Sequence, residues 1–151
     1  VPVEGEIIEY KEVLLDKLGY GEVKDRINFQ QGDACNLKPQ FTDYNVVFAG
    51  NLIDRLYDPA LFLREIEDRI VPSGLLVLTS PYTWLEEYTD KINWVGGKKV
   101  NGENFSTLDA LKQQLADSFA FEEALDVPFV IRETARKYQH TVAQMTIWRK
   151  R

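Results

Sequence analysis

The sequence predicts an α/β domain built on a mixed β-sheet, and three observations support that class. Residues 44–49 and 75–79 are short, nearly unbroken apolar runs, the pattern of strands buried on both faces. Between them lies an amphipathic stretch of helical period, so strand, helix and strand follow in the order of a βαβ unit with a right-handed crossover. Finally, residues 119–131 and 140–148 read as two long strands around the polar turn 133–139, an antiparallel hairpin added to a parallel unit.

The elements follow in order. In the first segment Val13, Leu14, Leu15 and Leu18 fit one face of a short helix, whereas Ile7, Ile8 and Tyr10 suit extended chain; Gly19 and Gly21 end it. Residues 27–31 alternate and are rich in strand formers, which predicts a strand stopping at Gly32-Asp33. Asp58-Pro59 starts the crossover helix, a capping carboxylate followed by proline at the first helical position. Phe62, Ile66 and Ile70 then repeat every four residues, with Glu65 and Arg69 expected to pair on another face. Pro72-Ser73-Gly74 is read as the stop before the next strand. Residues 82–105 form a long irregular stretch with turns at Gly96-Gly97 and Asn101-Gly102, and loops of that length usually carry function. Ser106 with Asp109 resembles a capping box, followed by the apolar face Leu108, Leu111 and Leu115.

Composition bounds the function. The 151 residues suit a single domain over 1–151, and 44% hydrophobic with 28% charged residues is globular composition. A net charge of −6 repels phosphate backbones, so no nucleic-acid partner is expected. One cysteine and one histidine exclude a disulfide framework and the common zinc sites, so no metal is expected. No run of about 20 apolar residues is present, so no membrane association is expected, and with no secretory leader the expected location is cytoplasmic. The opening Val1-Pro2-Val3 lacks methionine, which suggests a fragment or processed product.

In open α/β sheets ligands bind beyond the carboxyl ends of the strands. Here those ends are Gly32-Asp33-Ala34, residues 50–54 and Ser80-Pro81-Tyr82. Asp33 suits hydrogen bonds from an adenine amino group or a sugar hydroxyl, and equally a plain turn with Gly32. Asn51 suits a pocket wall or a cap on the next segment. Asp54 with Arg55 reads as a structural ion pair. Tyr82, Trp84 and Trp94 suit a pocket wall that attracts a cation, or a hydrophobic rim. His140, the only imidazole, is a candidate base or a structural residue at a strand start. No nucleophile elbow or phosphate loop is present.

The motifs QGDACNL (31–37), YNVVFAGNLIDRLYDPALFL (44–63) and PSGLLVLTSPYTWLEEYT (72–89) resemble consecutive blocks of class I S-adenosylmethionine-dependent methyltransferases. TSPYTWLEEYT (79–89) and DVPFVIRETARKYQHTVAQMTIWRKR (126–151) resemble more specifically the methyltransferase domains of ovothiol synthases. That family joins a 5-histidylcysteine sulfoxide synthase to a 4-mercaptohistidine N-methyltransferase. The resemblance implies a partial Rossmann-like class I methyltransferase fold, with S-adenosylmethionine as cofactor. It implies methyl transfer to a ring nitrogen of a small thiol-bearing histidine of the mercaptohistidine type. The expected cofactor contacts are Asp33, Ala34, Asn51 and Leu52. The expected catalytic residues are Tyr82 and His140, with Trp84 and Arg132 contacting substrate; Arg132 suits a substrate carboxylate or a solvated hairpin charge.

The family pattern departs in one respect: the nine glycines include no Gly-x-Gly cluster after an apolar strand. By resemblance the chain begins after the second strand of the family sheet, which orphans the 27–31 strand and leaves an unpaired edge and an uncovered apolar face. Rearranged pairing, an edge-strand dimer, or weak or absent cofactor binding are the expected consequences, and the fragment alone is expected to be inactive. A non-catalytic methyltransferase-like module that binds protein through its sheet edge is the competing expectation.

Overall fold

The computed structural model describes residues Val1–Arg151. The elements that position the site are β3 (Tyr44–Gly50), α1 (Pro59–Glu65), β4 (Ile70–Ser80), α2 (Thr107–Gln114), β7 (Phe119–Arg132) and β8 (Tyr138–Lys150). Two small ribbons accompany them, β1 (Pro2–Glu4) with β2 (Ile7–Ile8), and β5 (Lys98–Val100) with β6 (Glu103–Phe105). The main sheet has the order β3-β4-β8-β7; β3 runs parallel to β4, and β8 antiparallel to β4. This is the mixed α/β sheet that the sequence predicts.

Both helices begin where their caps dictate. Asp58 Oδ1 accepts a hydrogen bond from Leu61 N at 2.9 Å, with Pro59 at the first helical position, and α1 continues as a 3-10 turn, Ile66–Arg69. Ser106 Oγ accepts from Asp109 N at 3.1 Å and donates to Asp109 Oδ2 at 2.6 Å, so the capping pair closes on itself. The helices supply Phe62, Leu63, Ile66, Ala110, Leu111 and Leu115 to a core whose sheet side is Ala49, Leu76, Leu78 and Trp148. Because side chains alternate along a strand, Val47, Leu76 and Trp148 share this covered face, as do Ala49, Leu78 and Thr146. No helix is long and apolar enough to cross a membrane.

Four expectations change. Residues 27–31 form no strand: Ile27 and Phe29 are exposed and pair with nothing, so local alternation finds no neighbour to complete it. β3 is buried on one face only, with Tyr44, Val46 and Phe48 exposed at 43, 54 and 64%. It is also the margin of the sheet, its outer edge unpaired. Pro72-Ser73-Gly74 does not stop the helix, whose 3-10 continuation already ends at Arg69, but forms a bulge inside β4, since Tyr44 pairs with Ile70 while Val46 pairs with Leu75. A Cβ on Gly74 would fall 2.9 Å from Val71 O and 3.0 Å from Asn45 O, so the bulge demands glycine there. Arg69 does not pair with Glu65; its guanidinium donates to Leu37 O, Lys38 O and Pro39 O at 3.2–3.4 Å.

The chain divides into two compact units. One comprises Val1–Gln31 and Val130–Thr141, the other Gly32–Phe129 and Val142–Arg151. In the first, the short helix suggested near residues 13–18 reduces to the 3-10 turns Asp16–Leu18 and Gly21–Arg26, neither with a buried residue. A helix that short is marginal unless an apolar face packs against something, and here none is buried.

Candidate functional site

The carboxyl ends of β3 and β4 are tied directly together. Asn51, the first residue beyond β3, donates its backbone N–H to Thr79 O at 2.8 Å and to Thr79 Oγ1 at 3.0 Å. Thr79 Oγ1 in turn donates to Asn51 Oδ1 at 3.1 Å. Asn51 sits at φ 51, a left-handed conformation that asparagine tolerates better than most residues, and its side chain is exposed. Leu52 behind it is half-buried against the core.

Beyond β4, Tyr82 adopts φ 55, which costs an aromatic residue about 1–3 kcal/mol and persists only where its surroundings enforce it. The enforcement is visible. Tyr82 N donates to Ser80 Oγ at 3.0 Å, Tyr82 OH to Gln144 Oε1 at 2.9 Å, and Thr83 N to Asp54 Oδ2 at 3.0 Å. Burial, reinforced by the charge of Asp54, pushes the Tyr82 phenol up to about 12. At neutral pH it is therefore a neutral hydrogen-bonding group and not a base.

Asp54 and Arg55 do form the expected ion pair, at 3.0 Å, and the structure shows its purpose. The Asp54 side chain is 1% exposed; its Oδ2 also accepts from Thr83 Oγ1 at 3.1 Å, while Oδ1 has no partner. Arg55 reaches across to Thr83 O at 2.8 Å and Thr83 Oγ1 at 2.9 Å, and lies 4.9 Å from the Tyr88 ring centroid. Together they hold the segment after β4 against the turn after β3. Further ties run from Thr89 Oγ1 to Leu56 O at 2.6 Å and from Asn93 Nδ2 to Tyr57 O at 3.0 Å.

Asp33 joins this assembly without a strand to carry it. Its Oδ2 accepts from Tyr57 OH at 3.0 Å and its Oδ1 from Cys35 N at 2.9 Å, while Cys35 Sγ donates to Asp58 O at 3.3 Å. The segment after residue 31 is thus fastened to the segment after β3. Hydrogen bonding to Asp33, then burial and the Asp33 charge, push Tyr57 up to about 12. Burial raises Cys35, so it is a thiol here, not a thiolate. Asp33 is exposed on a pocket of about 340 Å³ whose other walls are Gly32, Asn36, Leu37, Lys38, Pro39 and Phe41. Ala34 is half-buried and packs against the core. A carboxylate above apolar side chains suits a flat heterocycle bearing an amino group.

The remaining expected residues lie elsewhere. Trp84, expected to contact substrate, is 8% exposed, donates Nε1–H to Thr107 Oγ1 at 3.0 Å and packs in the core. The aromatic residue that faces a cleft is Trp94, stacked on Trp84 with centroids 6.1 Å apart. His140 is exposed on β8, and Arg132 spends its Nε–H on Thr134 O at 3.0 Å within the hairpin turn. Both belong to the unit without the β3 and β4 ends. Sequence reasoning placed Trp94 on a candidate pocket wall but missed the lysines that line the cleft with it, Lys91, Lys98 and Lys99. Isolated lysines read as solvated charge; the available signal was the Gly96-Gly97 pair, of which Gly97 lines the cleft.

No protein-family model matches the sequence, and no curated protein matches it. Solved structures do match. One, from work on the conversion of a disulfide bond into a thioacetal group during echinomycin biosynthesis, has a TM-score of 0.58 at 13% identity, over 90% of this chain and 59% of that one. The [4+2]-cyclase SpnF has a TM-score of 0.55 at 15% identity, over 90% and 61%. The N-methyltransferase NodS from Bradyrhizobium japonicum WM9, in complex with S-adenosyl-L-homocysteine, has a TM-score of 0.52 at 11% identity, over 92% and 64%. The chain thus spans about three fifths of the length of these structures. At such identities the likeness is one of fold, and the fold is the mixed α/β architecture of class I methyltransferases.

Proposed function

We propose that this chain is part of an S-adenosylmethionine-dependent methyltransferase domain acting on a ring nitrogen of a thiol-bearing histidine. The observation that carries the reading is the placement of Asp33, a carboxylate on a pocket fastened to the segment after β3. Open α/β sheets bind nucleotides beyond the carboxyl ends of strands, and Asp33 is tied through Tyr57 to the segment beyond β3. In this reading Asp33 accepts hydrogen bonds from the adenine amino group, the ring lies against the pocket walls Leu37 and Phe41, Ala34 and Leu52 support the site from the core, and the exposed Asn51 amide meets the remainder of the donor. Bound S-adenosylmethionine would supply an electrophilic methyl group. The chain contributes orientation and water exclusion, which suffice for a nucleophile as good as a neutral imidazole nitrogen. Tyr82, held protonated, orients the acceptor and does not deprotonate it. NodS supports the donor half, since it holds S-adenosyl-L-homocysteine on the same fold. The acceptor rests on the sequence resemblance.

Calorimetric titration with S-adenosylhomocysteine tests the donor site. Binding is expected, weakened about 10- to 100-fold by Asp33→Asn through loss of charge-assisted hydrogen bonds. No heat at millimolar ligand overturns it. That outcome would favour the rival module reading, which draws support from the unpaired outer edge of β3 and its exposed Tyr44, Val46 and Phe48.

A further inference from the structure

We propose that the cleft between the turn Lys91–Asn93 and the β5–β6 ribbon is a binding site for a small organic carboxylate with a flat apolar body. The cleft has a volume of about 790 Å³ and is lined by Lys91, Trp94, Gly97, Lys98, Lys99 and Phe105 among others. That lies within the size range of small-molecule sites.

Its charge is opposite to that of the protein. The chain carries 24 acidic against 18 basic residues, yet no aspartate or glutamate lines this cleft and three lysines do. None of the three appears in an ion pair, the pairs present being Lys11–Glu9, Arg55–Asp54, Lys137–Glu133 and Arg149–Glu122. Lys91 Nζ instead lies 5.8 Å from the Trp94 ring centroid, where the ring face compensates only part of a charge. An anion in the cleft would therefore meet lysines that make no ion pair within the chain.

The apolar wall is rigid. Trp94 donates Nε1–H to Thr89 O at 2.9 Å and stacks on Trp84, which is itself anchored to Thr107. Gly97 at φ 69 donates its N–H to Phe105 O at 2.9 Å, so the glycine turn fixes the ribbon beside the indole. A flat ring can lie against Trp94 while its carboxylate meets the lysines. The site is independent of the methyl-donor reading and stands or falls separately from it.

Tryptophan emission reports on it, because Trp84 and Trp148 are buried and Trp94 lines the cleft. Phenylacetate, titrated into the full chain at low salt, should give a saturable emission change with a dissociation constant on the order of 1 mM. Acetate, which lacks the ring, and phenethyl alcohol, which lacks the charge, should each bind about tenfold more weakly or worse. The double variant Lys98→Gln, Lys99→Gln should weaken phenylacetate by a similar factor, with far-ultraviolet circular dichroism unchanged. In Trp94→Phe the emission change should vanish while calorimetry still detects the ligand. Absence of saturable binding by emission and calorimetry overturns the proposal. So does equal affinity for the neutral alcohol, an unaffected lysine variant, or an emission change that survives Trp94→Phe.

Discussion

The two units differ less in composition than in what they bury. Every buried apolar side chain, from Cys35 to Trp148, belongs to the unit formed by Gly32–Phe129 and Val142–Arg151. The other unit contains Ile7, Ile8, Tyr10, Val13, Leu14, Leu18, Ile27 and Phe29, all exposed, together with Val130, Ile131 and Tyr138 on the hairpin. Apolar content is therefore not what separates them. Burial at about 25 cal/mol per Å² must offset about 1–2 kcal/mol of backbone entropy per ordered residue. The sheet and two capped helices concentrate that burial, whereas a three-residue ribbon and two 3-10 turns do not.

The largest test of this contrast is amide hydrogen exchange. Amides of Leu76, Leu78, Thr146 and Trp148, central in the sheet, should exchange only through global unfolding, while those of residues 1–31 should exchange nearly unprotected. Comparable protection in both units would break the comparison. Next, Leu76→Ala, at a site 0% exposed, should cost about 2–5 kcal/mol in denaturant unfolding, against under about 0.5 kcal/mol for Ile8→Ala at 55% exposure. Equal costs would mean that the first unit has a core of its own. The smallest effect is alkaline and confined to the core unit. Tyr82 ionises at about 12 when folded but near its ordinary value when unfolded, so the folded state holds the extra proton between about pH 10 and 12. Stability should therefore fall as pH rises through that window, by about 2–3 kcal/mol, and Tyr82→Phe should flatten the slope. An unchanged slope in that variant would show that the phenol does not carry the effect.

Much of the fold was legible because its signals are local. Asp58-Pro59 and Ser106 with Asp109 start helices through contacts spanning three residues, and the apolar runs around Val46 and Val77 found each other as parallel neighbours. The errors share one cause. Ile27–Gln31 has the alternation of a strand and no partner, and β3 has the composition of a doubly covered strand but only one covered face. Among the candidate site residues, Asp33 is tied to Tyr57 and Asn51 to Thr79, pairs that the sequence did not indicate, and Trp84 and Trp94 could not be told apart by type or spacing. Only packing decided that one serves the core and the other a cleft.

By itself, the order of residues determined the succession β3, α1, β4, α2, β7 and β8, the caps that start the helices, and the acidic charge, since each depends on neighbours a few positions away or on composition alone. The tertiary structure decided the rest through pairs far apart in the chain. Asp33 meets Tyr57 across 24 positions, Asn51 meets Thr79 across 28, and Tyr82 meets Gln144 across 62. Periodicity carries no information over such separations, and the closing of those loops is governed by how the sheet and its two helices pack.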